Sequence, residues 1–130
     1  MLNRSAQAIP LPDTGTTRGD LLAIVRAVIA YITSAGGRAV LHAALLPVDD
    51  DYADARHAFW AGRLAALCPV VQRGIDRGEL RANTDPRLLL ETLVAPLHGR
   101  LLLTGEPIDG DLPERIVDMV FDGAANPEAQ

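Results

Sequence analysis

Apolar side chains recur every three or four positions in five successive segments of this chain, and Gly or Pro residues separate most of the segments. This spacing places the apolar residues on one face of an α-helix, whereas a half-buried strand would alternate apolar and polar residues. The pattern predicts helices over residues 18–33, 38–46, 51–77, 86–103 and 112–124. No segment is typical of a strand, so the sequence predicts an all-α fold, a five-helix bundle with short turns.

Residues that cap or stop helices mark the predicted ends. Thr17 and Asp111 are expected to cap the first and last helices, and Asp49-Asp50-Asp51 the third. Asp85-Pro86 combines an N-cap residue with a proline in the first turn of the fourth helix. Gly36-Gly37 is expected to end the first helix.

Two prolines lie inside predicted helices, Pro69 in the third and Pro96 in the fourth. Each removes a backbone hydrogen bond and favours a bend. Two bent helices can open a bundle at its middle and leave a cavity. Alternatively, the prolines only follow the curvature of a packed core, and the residues alone leave both interpretations open.

The 130 residues, 48% of them hydrophobic, are enough for one globular domain with its own core. Pro10, Pro12 and Gly15 predict that residues 1–16 are a linker or tail. The domain is then expected over residues 17–125, and residues 126–130 as a second tail.

The charge balance argues against DNA binding by these residues alone. Twelve basic residues, all Arg, stand against 17 acidic ones, for a net charge of −5. A protein that neutralises phosphates needs a basic face. The densest basic group, Arg73, Arg77 and Arg81, is interrupted by Asp76 and Glu79.

Other function classes find no support in the sequence. There is no apolar run of membrane-spanning length and no signal peptide, and Cys68 is the single cysteine, so we expect a cytoplasmic protein. His42, His57 and His98 lack the spacing that places two metal ligands on one helix face. No catalytic motif or phosphate-binding glycine loop is present. We therefore predict no enzyme activity, no metal and no cofactor.

Seven side chains are candidates for holding a small ligand, because such a pocket has mostly apolar walls and few polar or aromatic groups. They are Tyr31, His42, Trp60, Leu64, Cys68, Gln72 and His98. Each also has a structural interpretation: Trp60 as a core residue, Tyr31 as a ring reaching solvent with its hydroxyl, and Cys68 as an inert buried thiol.

The last two predicted helices carry apolar residues on more faces than packing against the rest of their own domain would cover. Paired with the same helices of a second copy, they would form a four-helix bundle with two-fold symmetry. The residues assigned to that homodimer interface are Leu90, Val94, Leu97, Leu101, Ile116, Val120 and Phe121. The pattern leaves open which face of the fourth helix points inward.

Three stretches at the predicted helix junctions are specific in combination. They are Pro12-Asp13-Thr14-Gly15 with Arg18-Gly19-Asp20-Leu21; Arg77-Gly78-Glu79-Leu80-Arg81 with Asp85-Pro86; and Ala95-Pro96-Leu97 with Arg100, Leu101 and Thr104-Gly105-Glu106-Pro107. In this order they resemble the C-terminal domain of one branch of the tetracycline-repressor-like transcription regulators. The resemblance covers roughly residues 12–124.

The resemblance implies a regulatory domain that binds a small hydrophobic effector among its first four helices and homodimerises through its last two. In complete members a DNA-binding helix-turn-helix precedes this domain, and it is expected to be absent from this chain because only residues 1–12 precede the match. Members often carry an aromatic pair where this chain has His98-Gly99. The alternative is a stand-alone small-molecule-binding or dimerisation module without DNA-binding activity.

Overall fold

The computed structural model describes residues 11–125 and contains five α-helices and one π-helical segment. The helices are α1 (Thr17–Thr33), α2 (Ala35–Ala43), α3 (Asp50–Asp76), α4 (Pro86–Gly99), continued by the π-helical segment Arg100–Thr104, and α5 (Leu112–Ala124). These residues form no strand, only an isolated antiparallel bridge between Leu80 and Ala125. The predicted all-α fold is confirmed. Residues 1–10 and 126–130 of the predicted tails lie outside the described residues.

The central helix is α1, which packs against each of the other four helices. Its residues Leu21, Ile24, Val25 and Ile32 are at most 1% exposed, because their spacing keeps them on the faces that the neighbouring helices cover. The rest of the buried core comes from Leu41, Leu67, Val70, Val71, Leu80, Leu89, Leu90, Leu93, Leu97, Leu112, Ile116 and Val117.

The N-termini of α3 and α4 are capped as predicted. Asp49 accepts a hydrogen bond from the backbone N–H of Tyr52 at 2.8 Å. Asp85 accepts from the backbone N–H groups of Arg87 and Leu88 at 3.1 and 3.2 Å. These bonds satisfy N–H groups that have no partner within the helix.

The predicted cap of α1 is wrong, and the predicted cap of α5 is right in its position only. Thr16, not Thr17, caps α1 by accepting a hydrogen bond from the N–H of Gly19 at 3.0 Å, and Thr17 is a fully buried helical residue. Asp111 occupies the cap position of α5, but its side chain makes no capping hydrogen bond. It lies instead 3.7 Å from Arg115, one turn further along the helix.

The second helix begins three residues earlier than predicted. Ser34 ends α1 with extended backbone, and its hydroxyl accepts from the N–H of Gly37 at 3.1 Å, so it caps α2. Gly36-Gly37 therefore lies inside α2 instead of ending α1. A Cβ atom on Gly37 would overlap the carbonyl oxygen of Tyr31, so the tight connection between the helices requires glycine there.

The fourth predicted helix changes its winding before its end. After Gly99 the chain continues as the π-helical segment Arg100–Thr104, and Gly105, with φ of +71°, closes it by donating to the carbonyl of Arg100. The wider π turn shifts the residues that follow out of the α-helical register. Leu101 is accordingly only partly buried, unlike Leu97 one turn earlier.

No single helix in the described part of the chain is both long enough and apolar enough to cross a bilayer. Only α1 and α2 together meet that criterion, as a pair bent by 84°.

Candidate functional site: a cavity between α1, α3 and α4

A cavity of about 250 Å³ lies between α1, α3 and α4. Each helix contributes side chains spaced so that they share one face, which is why three helices can enclose one space. The lining residues are Val28, Tyr31 and Ile32 of α1; Trp60, Arg63, Leu64, Ala66 and Leu67 of α3; and Glu91, Val94, Ala95 and His98 of α4. Most of this wall is apolar.

Both internal prolines are close in sequence to cavity-lining residues, although Pro96 itself faces the outer side of α4 and Pro69 a separate cleft. Pro96 follows the lining residue Ala95 directly in α4, and Pro69 follows Leu67 after one residue in α3. Neither proline has an N–H to donate to the preceding helical turn. The prediction that these prolines open the bundle is thus compatible with where the cavity lies.

Aromatic contacts fix the orientation of several wall residues. The ring of Trp60, the only tryptophan in the chain, meets Phe59 and His98 edge to face at centroid distances of 5.3 and 6.3 Å. The guanidinium of Arg63 lies 4.6 Å from the ring centroid of Tyr31 and 5.7 Å from that of Phe59. Edge-to-face and cation–π contacts favour particular ring orientations, so part of the wall is pre-organised.

His98 lines the cavity in surroundings that disfavour the charged form of its ring. Burial lowers the pKa of His98 from its ordinary value of 6.5, because desolvation disfavours the charged ring. A neutral imidazole offers one hydrogen-bond donor and one acceptor. Within residues 11–125 neither ring nitrogen has a hydrogen-bond partner, and the ring contacts Trp60. The cavity wall therefore carries an unpaired polar group.

Four of the seven predicted ligand residues line this cavity: Tyr31, Trp60, Leu64 and His98. The other three lie elsewhere. Cys68 and Gln72 line a separate shallow cleft further along α3, where the thiol contacts the carbonyl of Leu64 at 3.4 Å and the amide donates to Asp76 at 3.0 Å. His42 is exposed on α2.

The sequence interpretation missed most of the remaining wall. The missed residues are Val28, Ile32, Arg63, Ala66, Leu67, Glu91, Val94 and Ala95. Helical spacing could have identified some of them, because Arg63 follows Trp60 by three residues and Glu91 precedes His98 by seven, which places each pair on one face of its helix. Spacing identifies residues that share a face, but it does not tell which faces of different helices meet.

A second feature is an open groove of about 630 Å³ along the outer face of α4 and α5. Leu88 and Met119, on its two sides, are 57% and 80% exposed. Other side chains in the groove include Thr92, Pro96, Arg115, Ile116, Val120 and Gly123. This surface is mostly apolar, and no other part of residues 11–125 covers it.

The predicted dimer residues divide among different surroundings. Ile116 and Val120 line the groove, and Val94 lines the cavity. Leu101 and Phe121 pack partly against the core. Leu90 and Leu97 are 0% exposed and contact their own core, so they offer no surface to a second copy. The outward face of α4 carries Leu88, Thr92 and Pro96 instead, and the assignment of the interface stays a prediction.

No group of three or more His, Cys, Asp or Glu side chains between residues 11 and 125 is placed to hold a metal ion.

Residues 11–120 match the family described as "Tetracyclin repressor-like, C-terminal domain". The chain belongs to this family, and the predicted family is confirmed.

Three relatives show how far the similarity extends. The chain is 30% identical over 124 residues to the HTH-type transcriptional regulator AqdR of Rhodococcus erythropolis, covering 95% of this chain and 60% of that protein. It is 26% identical to the uncharacterized HTH-type transcriptional regulator YdeS of Bacillus subtilis (strain 168), covering 94% and 63%. The crystal structure of the TetR family transcription regulator SCO0332 matches with a TM-score of 0.77 and 30% identity, covering 95% and 68%. The chain thus spans about three fifths of the length of its curated relatives.

Proposed function

We propose that this chain is the effector-binding and dimerisation domain of a transcription regulator. The observation that carries the proposal is the cavity between α1, α3 and α4, with its mostly apolar wall and few polar groups. Small-molecule sites in helical proteins have this composition and often lie between helices. A ligand there contacts three helices at once and favours the arrangement that binds it best.

DNA reading belongs, in this proposal, to a helix-turn-helix outside the matched region. Both curated relatives are named HTH-type regulators, and the match leaves about two fifths of each uncovered. The net charge of −5 does not favour phosphate binding by these residues. Effector binding would then act by changing the separation of two DNA-reading heads, since paired half-sites require a fixed spacing.

Homodimerisation is the second part of the proposal. The groove on α4 and α5 exposes Leu88 and Met119 on a mostly apolar surface. The same two helices from a second copy would cover it in a four-helix bundle, and a two-fold symmetric interface is the commonest solution.

The emission of Trp60, the single tryptophan, gives a direct test of the cavity. Compounds that bind there should change this emission and raise the melting temperature of the protein. Ala95→Leu places a larger side chain on the cavity wall and should weaken both effects. Ala58→Leu is the matched control, because Ala58 is exposed on α3 outside the cavity. The proposal fails if a broad hydrophobic library gives no binder, or if Ala95→Leu binds every compound as the unmodified protein does.

A stand-alone binding module is the second candidate, favoured by the net negative charge. The coding sequence upstream of residue 1 separates the two. An in-frame helix-turn-helix there supports the regulator, and a nearby in-frame stop codon supports the stand-alone module.

A further inference from the structure

We propose that the cavity between α1, α3 and α4 binds a small neutral aromatic compound with one hydroxyl or carbonyl group, and that His98 selects this group. The inference rests on the proposed effector-binding function and names the ligand class. Volume, wall chemistry, the unpaired imidazole and the balance of charge each support it.

The cavity volume limits the size of the ligand. The cavity measures about 250 Å³. Since an apolar cavity of about 150 Å³ accommodates benzene, this volume suits a compound of roughly ten non-hydrogen atoms. A single substituted ring has that size.

The wall favours a flat ligand. Tyr31 and Trp60 both face the cavity, and Trp60 is held by edge-to-face contacts with Phe59 and His98. Aromatic ligands make offset or edge-to-face contacts with such rings in addition to burying apolar area. Val28, Ile32 and Leu67 complete an apolar surface for the rest of the ring.

The unpaired imidazole of His98 selects one polar group. An apolar ligand would displace water from the cavity and would leave the donor and the acceptor of the His98 ring without partners. A hydroxyl or carbonyl supplies the missing bond. A site built to hydrogen-bond a ligand discriminates strongly against the analogue that lacks the group.

The charges that line the cavity favour a neutral ligand. They are Arg63 and Glu91, one of each sign, so the formal charges of the wall sum to zero. Neither sign therefore dominates, and the remaining wall is apolar. An ionised ligand would lose its hydration without a matched counter-charge.

The test compares 4-ethylphenol with its isostere 4-ethyltoluene, which replaces the hydroxyl by a methyl group. The ionised probes are 4-methylbenzoate and 4-methylbenzylammonium. Binding is measured by the emission of Trp60 and by titration calorimetry. We expect 4-ethylphenol to bind the unmodified protein at least about tenfold more tightly than 4-ethyltoluene, the ratio that one net hydrogen bond of about 1.4 kcal/mol gives. Both ionised probes should bind more weakly than 4-ethylphenol.

The variant His98→Phe should lose this preference and still bind 4-ethyltoluene. His57→Phe, at an exposed position of α3 outside the cavity, is the control and should keep it. Equal binding of the isosteres, tighter binding of an ionised probe, or a preference that survives in His98→Phe would overturn the inference. If none of the four probes binds while other library compounds do, the ligand class is wrong and the effector cavity stands. If His98→Phe does not fold, the comparison on the unmodified protein still decides.

Discussion

The buried carboxylate of Asp20, in the first turn of α1, lies 3.4 Å from the guanidinium of Arg73 near the end of α3. Arg77 approaches the same carboxylate oxygen at 3.7 Å. The N–H and hydroxyl of Thr14 donate to the other oxygen at 2.7 and 2.8 Å, and Arg73 also donates to the carbonyl of Pro12. The segment before α1, the start of α1 and the end of α3 are thus joined at one carboxylate.

Two of the three stretches that carry the family resemblance meet at this network. The first supplies Thr14 and Asp20, and the second supplies Arg77 and Glu79. Thr17, between them, accepts from Arg77 at 3.1 Å through its hydroxyl and donates its N–H to Glu79 at 3.1 Å. Each of these contacts gives its residue type a structural explanation, because a polar group that is taken out of water loses stability when its partner is removed.

Asp20→Ala should lower the free energy of unfolding by about 2–3 kcal/mol, because it removes the buried carboxylate that accepts from the N–H and hydroxyl of Thr14 and that two partly exposed arginines approach. Urea denaturation measures this change.

Asp118→Ala is the control for that variant. Asp118 pairs with Arg18 between α5 and α1, but the two side chains are 53% and 45% exposed. Exposed pairs contribute about 1 kcal/mol or less. Equal losses in the two variants would contradict a special role for the buried carboxylate.

Gly74→Ala should destabilise the protein by about 1–3 kcal/mol, the range for an overpacked position. A Cβ there would lie 2.5 Å from the Thr17 hydroxyl and 3.0 Å from Leu80. Gly62→Ala, in the same helix but facing open space, should instead stabilise by up to about 1 kcal/mol through helix propensity. Urea denaturation of both variants measures the contrast, and changes of the same sign would refute the close contact.

Local interactions made much of the fold predictable. Asp49 and Asp85 bond to N–H groups two or three residues away, so their positions in the sequence suffice to assign them as caps. The predicted start of the second helix was three residues too late, because a Gly-Gly pair such as Gly36-Gly37 usually stops a helix. Here the cap at Ser34 and the close approach of Gly37 to Tyr31 outweigh that tendency. The close approach depends on how one helix packs against the other, which the sequence pattern does not tell.

The faces of α4 show why the site was only partly predictable. Leu88, Leu90 and Leu97 are all leucines of one helix, yet Leu88 is 57% exposed and the other two are 0% exposed. Their spacing fixes the angles between them around the helix axis, but only packing against α1, α3 and α5 decides which direction is inward. The same ambiguity concerns Val94, which was predicted at the dimer interface and lines the cavity.

Stability should fall in acid partly through Glu79. Burial raises its pKa, but the Thr17 N–H and Arg77 together lower it more, so the pKa of Glu79 lies below its ordinary value of 4.5. As the pH falls, Glu79 therefore binds a proton in the unfolded chain at a higher pH than it does in the folded protein. The contribution of Glu79 to the free energy of unfolding is fully present above pH 4.5 and is lost as the pH falls through the lowered pKa of the folded state.

Glu79→Gln should therefore be less stable than the unmodified protein at pH 7 and should lose less stability below pH 4.5. Urea denaturation in a series of buffers from neutral to acidic pH gives both curves. Parallel curves would show that Glu79 has no depressed pKa.

The outer groove gives a prediction about assembly. Met119→Glu should weaken a homodimer at least about tenfold, because association would desolvate a carboxylate in place of the exposed apolar side chain of Met119. Leu45→Glu introduces the same charge at a residue that is 62% exposed beside α2, away from the groove, and should leave the dimer intact. Light scattering after size-exclusion chromatography, over a range of concentrations, gives the mass of each protein. An unmodified protein that stays monomeric at high concentration, or a Met119→Glu variant as dimeric as the control, would exclude this face as the interface.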